Sequence, residues 1–312
     1  MPDKLILRLS NEMGNQMFMY AAAYSISKEL NRKLYIDNET AFLSRKNVSK
    51  FCLNFFNITS AIAPDKLKFK DLSGYIKRKF LIKTDFLRSR KKFFIEKKDR
   101  NKITKYSINY RNIIFGNNLF LEGHFESEKY FKDFQDDIKR EFKLKNQDIL
   151  KKHPYYNKIN KQNSVAICIR QNRFNEGRGQ TNYKNKQKSW NFTLEQINYI
   201  NKSANYLKSK ISNPTFYLWS NDFSNIDKNK FNFNYEEIKL INESILDKRI
   251  HSLYLLTQCN HFIVTTSTFN WWGAWLSERN NKIILRPSDK FFNDFYLNNQ
   301  DFWPLDWNII HV

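Results

Sequence analysis

The sequence predicts an α/β fold with parallel sheets divided between two domains. Short apolar runs of strand length alternate with longer segments of helical period. Two of these alternations are complete β-α-β units, one in each half of the chain, and such a unit makes its two strands parallel. The length of 312 residues exceeds what one hydrophobic core usually serves. We place the domains at residues 1–150 and 151–312. Hydrophobic residues at 41% and aromatics at 16% supply enough material for packed cores and exclude a disordered chain.

The first unit opens with Leu5–Leu9, a strand interrupted by Arg8, and enters a polar turn from Ser10 to Gln16. A helix follows to about Asn31, with Met19, Ala22, Ala23, Ile26 and Leu30 at helical spacing. Lys33–Asp37 returns as a strand. The turn therefore sits at the carboxyl end of a strand, where open α/β sheets bind ligands. Gly14 allows close backbone approach, and the amides of Asn15 and Gln16 both donate and accept. Further on, Leu119–Phe125 reads as a strand and turn, with Glu126–Phe142 helical behind it. His124 in that turn is a candidate base or ligand contact. Asn146–Asn163 is polar and reads as the linker.

Charge is concentrated in one stretch. The formal net charge is +22, and residues 66–105 hold 16 Lys/Arg against four Asp/Glu. Apolar residues interleave with this basic insert, among them Tyr75, Ile76, Phe80, Phe86, Leu87, Phe93 and Phe94. A Lys-rich solvated surface is one reading. The face of an anionic membrane is the other, worth about 1 kcal/mol per basic residue near the lipid. No zinc-finger, RNP or basic-zipper pattern accompanies the charge, so nucleic acid is not an expected partner. No run approaches the length of a membrane span, and the N-terminus lacks a signal-peptide pattern. Cys52, Cys168 and Cys259 are odd in number and far apart, unlike a disulfide framework or a zinc site. The expected location is the cytoplasm, with peripheral attachment to the inner face of the cytoplasmic membrane if the insert docks there.

The second half alternates more cleanly. Ser164–Arg170 is a buried strand ending in Arg170, followed by a loop to Asn191 and a helix over Thr193–Ile211 capped near Thr193. Thr215–Trp219 is a strand running into Ser220-Asn221-Asp222; Tyr235–Ile241 is another, and Lys248–Cys259 is helical. The stretch His261–Leu285 is the most informative: a strand, four successive hydroxyl residues (Thr265, Thr266, Ser267, Thr268), a short helix with Trp271, Trp272 and Trp275, and a second strand. One hydroxyl suffices for a helix cap. The others can donate to an anion at the positive helix terminus; a capped helix on an aromatic core is the plainer reading. Three strand ends thus bring Arg170, Ser220 with Asp222, and the Thr265–Thr268 turn to one edge. Arginine and hydroxyls suit a phosphate, and Asp222 suits a sugar hydroxyl or purine edge.

On these residues the chain resembles the bacterial α-1,2-fucosyltransferases, the inverting glycosyltransferase family 11. The resemblance rests on MGNQMFMYAAAYSISKEL, LEGHFESEKYF, SVAICIRQNRF, FYLWSND, TTSTFNWWGAWL and the terminal FWPLDW. It implies a GT-B architecture of two Rossmann-like domains facing a cleft. The donor GDP-fucose would lie on the C-terminal domain, and a galactose-terminated glycan, lipid-linked or free, on the N-terminal one. It implies no metal and no other cofactor, and no Asp-x-Asp occurs in the chain to hold a divalent ion. The donor contacts become Asn15, Gln16, Arg170, Ser220, Asp222, Thr266, Ser267 and Thr268; the acceptor contacts become Gly14, Asn15 and His124. Arg170 would grip the departing β-phosphate, and Glu176, six residues on, is the nearest carboxylate to serve as base.

One motif departs from the family. Its pattern is His-x-Arg-Arg-x-Asp, and this chain reads Cys168-Ile169-Arg170-Gln171-Asn172-Arg173. The family's His contributes to guanine recognition, which a Cys168 thiol cannot reproduce. Arg173 and Arg178 are the candidates to replace the missing cation. Two alternatives therefore stand beside the fucosyl reading: another nucleotide-sugar on the same fold, or a non-catalytic glycan- or membrane-binding relative.

Overall fold

The computed structural model describes residues 2–43, 50–97, 105–160, 163–174, 183–223, 226–238, 248–288 and 301–311. The chain divides into two compact units, Met1–Lys145 with Asn299–Pro304, and Asn146–Asn298 with Leu305–Val312. No helix of the described residues is long and apolar enough to cross a membrane.

The first unit contains β1 (Lys4–Arg8), α1 (Met13–Glu29), β2 (Lys33–Asp37), β3 (Ala61–Ile62), α2 (Asp71–Thr84), β4 (Lys91–Ile95), β5 (Phe115–Glu122) and α3 (Gln135–Glu141). Its sheet has the order β3-β2-β1-β5-β4, with every pairing parallel. Strand order reverses between β1 and β5, the position at which such sheets form a ligand crevice. Thirteen of the 17 residues of α1 are buried, which makes it a core helix rather than an amphipathic cover. It begins at Met13, so Gly14, Asn15 and Gln16 lie in its first turn and not in a free loop. The turn proper is Ser10–Glu12, with Asn11 at φ 63°, a left-handed conformation that Asn tolerates.

Part of the basic stretch, β4, is an edge strand of this sheet. Leu67 is buried at the start of the stretch, and Phe93 and Phe94 are buried in β4. Phe69 meets Phe93 and Phe120 at centroid distances of 6.2 and 4.9 Å. Lys91 and Lys92 obscured the strand in the sequence because β4 is an edge, where lysines blunt further strand pairing. Residues 98–104 lie outside the described set. The helix expected over Glu126–Phe142 is also broken: two 3-10 turns, Glu128–Tyr130 and Lys132–Phe134, precede α3.

The second unit begins with two short helices, α4 (Gln147–Lys151) and α5 (Tyr156–Ile159), where the sequence predicts a linker. Leu150 and Ile159 bury one apolar side chain from each, enough to fold the polar segment down. There follow β6 (Ser164–Ile169), α6 (Tyr183–Lys210), β7 (Thr215–Ser220), β8 (Tyr235–Glu237), α7 (Lys248–Thr257), β9 (His261–Ile263), α8 (Thr268–Leu276), β10 (Ile284–Pro287) and β11 (Asn308–Ile310). The order β11-β10-β9-β6-β7-β8 is all parallel, the doubly wound arrangement with its reversal between β6 and β9. Helix α6 starts ten residues before the predicted Thr193, whose hydroxyl bonds back to Ser189 O at 3.0 Å instead of capping. Residues beyond Ile238 in the predicted fourth strand lie outside the described set.

Val165, Ile167, Ile200, Leu218 and Ile263 form the core between this sheet and α6, each worth roughly 1.5–3 kcal/mol on burial. On α8, Trp271 and Trp272 are fully buried. Trp271 meets Trp272, Trp275 and Trp307 at 4.9, 5.9 and 5.5 Å. The tryptophans are therefore packing residues, the plainer of the two readings. A Cβ on Gly273 would stand 2.9 Å from the Leu256 Cβ, so α7 and α8 touch closely only because residue 273 is glycine.

Candidate active site

At the reversal point of the second unit, β6 and β9 end side by side. Thr265, the first residue of the hydroxyl run, donates its Oγ1 to Cys168 O at 2.8 Å and ties the two strand ends together. It is structural and fully buried. Thr266 Oγ1 is buried and makes no hydrogen bond among the described residues. Ser267 is the N-cap residue of α8, yet its side chain makes no capping bond. Hydroxyls and the first backbone N–H groups of α8 thus gather at one helix terminus, an arrangement that favours negative charge.

Arg170 leaves the end of β6 beside this terminus, and its backbone is held on both sides by one residue. Gln196 on α6, fully buried, accepts from Arg170 N at 3.2 Å and donates to Arg170 O at 2.9 Å. The next residue is clasped from β7 in the same way. Gln171 N donates to Asn221 Oδ1 at 2.8 Å, and Asn221 Nδ2 returns a bond to Gln171 O at 3.3 Å. Gln171 Nε2 also donates to Asp222 O, while Asn172 Nδ2 reaches Asp222 Oδ2 at 3.4 Å. Three neighbouring strand ends are therefore locked into one polar edge carrying Arg170, Asp222 and Thr266–Thr268. Ser220 belongs to the scaffold: its Oγ donates to Asp222 O at 2.8 Å and accepts from Asp222 N at 3.2 Å. Cys168 is buried, and burial pushes its thiol well above the ordinary range.

The reversal point of the first unit has different chemistry. Asn11 Nδ2 lies 3.1 Å from His124 Nε2, and His124 Nδ1 lies 3.5 Å from Glu126 Oε1. Asn15 Nδ2 donates to the same carboxylate oxygen at 2.6 Å. With Asn11 donating, the ring proton sits on Nδ1 facing Glu126. The turn is fixed from beneath by Glu96, which accepts from His124 N at 2.7 Å and Phe125 N at 3.0 Å. Burial raises the Glu96 carboxyl, and the two amides oppose that rise. Phe125 is held at φ 51° although fully buried, a conformation sustained only where the surroundings dictate it. Gln16 does not join this group. Its Nε2 donates to Asn11 O and Lys50 O at 2.7 Å each, and its Oε1 accepts from Cys52 N at 2.9 Å. Its amide is fully occupied in holding the loop, and Gly14 is likewise buried within the helix.

The sequence profile of glycosyl transferase family 11 matches residues 4–311. The chain belongs to that family. It is 25% identical over 308 residues to an alpha-1,2-colitosyltransferase of Escherichia coli, covering 97% of each chain. It is 25% identical over 298 residues to the O-antigen biosynthesis glycosyltransferase WbnK of Escherichia coli, covering 91% of this chain and 93% of the relative. A 90-residue segment is 29% identical to the galactoside alpha-(1,2)-fucosyltransferase 2 of Mus musculus, 29% of this chain and 26% of that protein. Among solved structures, FUT1 of Arabidopsis thaliana in complex with GDP aligns at TM-score 0.52 and 13% identity, over 97% of this chain and 75% of that one. NodZ alpha-1,6-fucosyltransferase co-crystallized with GDP aligns at TM-score 0.50 and 13% identity, over 92% and 96%. These likenesses give the fold, two parallel sheets of the GT-B class.

In this family-11 glycosyltransferase the residues picked from sequence fall into two separate groups. Arg170, Asp222 and Thr266–Thr268 meet on the second unit, supported by Ser220; Asn15 and His124 meet on the first. Glu176 and Arg178 lie outside the described residues, and Arg173 is exposed. Sequence reasoning missed Gln196, Asn221, Asn11, Glu96 and Glu126. Only Glu126 had a visible signal, a carboxylate two residues past His124. The others act across distances of at least 26 residues, as Gln196 does on Arg170. Among the described residues no three His, Cys, Asp or Glu side chains cluster as a metal site would.

Proposed function

We propose that this enzyme transfers L-fucose from GDP-fucose to the 2-hydroxyl of a galactose on a surface glycan, with inversion and without a metal. One observation carries the reading: Arg170, clasped by Gln196, shares a sheet edge with the unbonded Thr266 hydroxyl and the start of α8. Breaking the bond from the anomeric carbon to the β-phosphate oxygen leaves negative charge on that oxygen. Donors fixed in advance at the developing charge are usually the largest catalytic contribution. Arg170 and the Thr266–Thr268 hydroxyls supply such donors, a task that a divalent ion performs in metal-dependent transferases. Asp222 is suited to a hydroxyl of the nucleoside or sugar. Attack by the acceptor oxygen from the face opposite the leaving group turns a β-linked donor into an α product.

On the acceptor side, Asn15 and His124 with Glu126 offer neutral and acidic partners for sugar hydroxyls, and O-antigen or a related surface polysaccharide fits the relatives' names. The full-length similarity to a colitosyltransferase favours a second reading of the sugar alone. Colitose is fucose without its 3-hydroxyl, so one hydrogen-bond partner would separate the two donors.

The test is product analysis after incubation with GDP-fucose or GDP-colitose and a panel of galactosides. An α-1,2-fucosylated galactoside is the expected product. Preference for the 3-deoxy donor would establish the second reading, and transfer from neither would sink both.

A further inference from the structure

Helix α2 is amphipathic in the reverse sense. Its inner, half-buried face holds Gly74, Arg78, Leu81 and Ile82. A Cβ on Gly74 would stand 2.7 Å from the Phe69 carbonyl carbon, so the helix lies close against the preceding segment. Arg78 turns inward and donates its Nε to Glu122 Oε1 at 2.7 Å. The outer face carries Leu72, Ile76 and Phe80, four residues apart and 73%, 59% and 64% exposed. Not one residue of the helix is buried. Ordinary surface helices turn such a stripe toward the core.

The stripe continues into the turn Asp85–Leu87, where Phe86 and Leu87 are 75% and 72% exposed. This tip is fixed from inside: buried Asp85 accepts from Lys92 N at 3.0 Å and Phe93 N at 3.2 Å. Lys91 Nζ donates to Phe86 O at 3.0 Å and Arg88 O at 2.6 Å. The apolar side chains are presented outward by ordered backbone. A contiguous exposed stripe of this kind marks an interaction surface.

The charge around it selects the partner. Residues 66–92 hold eleven Lys/Arg against two Asp, a net of nine positive charges, with Lys77, Lys79 and Lys83 exposed on α2 itself. Protein interfaces are depleted in lysine at their centres, and a second copy would bring two such faces together in mutual repulsion. Apolar side chains among lysines suit a sheet of phosphate headgroups over hydrocarbon. We propose that α2 and the Asp85–Leu87 turn seat the enzyme on an anionic phospholipid surface. Leu72, Ile76, Phe80, Phe86 and Leu87 enter the headgroup boundary while the lysines meet the phosphates.

The experiment is cosedimentation of the full chain with phosphatidylglycerol vesicles and with phosphatidylcholine vesicles. The native protein should pellet with the first and not the second, and should be released as salt rises from about 0.05 M to about 0.5 M. Leu72→Ser with Phe80→Ser, and separately Lys77→Glu with Lys79→Glu and Lys83→Glu, should each weaken binding at least about tenfold. Phe80→Leu should retain it. Unchanged melting temperature and unchanged transfer to a soluble galactoside would show the variants folded, since none of these residues belongs to either sheet edge. Vesicle binding requires no donor, so its outcome is independent of the proposed reaction. Failure of the native protein to bind phosphatidylglycerol, or equal binding by native and Ser variants, would overturn the proposal. So would a native dimer, by light scattering, that becomes monomeric in the Ser variant.

Discussion

At the edge where β6 and β9 end, the second unit carries an arginine, three hydroxyl residues and the start of a helix. At the edge where β1 and β5 end, the first unit carries asparagines, a histidine and a carboxylate. Both positions are reversal points of parallel sheets, so topology makes each a crevice. The side chains then decide what each crevice can take. Under the proposed reaction the first set takes the anion, with Gln196 and Asn221 fixing the backbone from which the cation projects. The second, with Glu126 bonded to Asn15, is suited to uncharged hydroxyls. The same fold thus presents two different sets of side chains through a handful of residues at strand ends.

The contrast can be broken most directly at Arg170. Arg170→Ala should lower turnover by roughly 10²–10³, about 3–4 kcal/mol, and Arg170→Lys should recover only part, lacking the guanidinium fork. Native turnover in a folded Arg170→Ala variant would remove the anion-binding role assigned to that edge. Gln196→Leu comes next, because it removes the two hydrogen bonds that the buried Gln196 amide makes to the Arg170 backbone. Urea unfolding should show a loss of about 1–3 kcal/mol, with turnover reduced further than GDP affinity. A variant as stable as the native protein would mean that the clasp is idle.

His124→Ala should act on the other edge alone. The acceptor KM should rise about tenfold while GDP affinity, followed by calorimetry, stays unchanged. A fall in GDP affinity instead would erase the division of labour. Smallest of all, chelation with EDTA should leave transfer intact. Activity lost to EDTA and restored by Mn²⁺ or Mg²⁺ would move the charge-stabilising role from Arg170 to a metal.

The elements of the second half were legible because its central strand is a nearly unbroken apolar run: Ser164–Ile169 is buried at every position. The hydroxyl run and Arg170 stood out for the same reason, as polar residues abruptly ending such runs. What stayed hidden was long-range. Gln196 reads as one more polar residue on a helix until α6 is laid against β6, and two of the three internal partners of Gln16, Lys50 and Cys52, are distant in sequence. Strand β4 was obscured by edge lysines, and α2 by an apolar stripe that no core receives. The tryptophans misled in the opposite direction, an unusual motif serving ordinary packing.

A late segment, Asn299–Pro304, contributes to the first unit. Asp301 accepts from Tyr106 N at 2.7 Å and from Lys129 Nζ at 2.6 Å, and Phe302 packs on Phe18 at 6.0 Å. During synthesis, therefore, the first 145 residues leave the ribosome without the piece that completes their own core. Phe18 and Tyr106 must wait while residues 146–298 of the second unit are translated. The nascent first unit passes that interval with part of its apolar surface uncovered until residues 301–304 emerge.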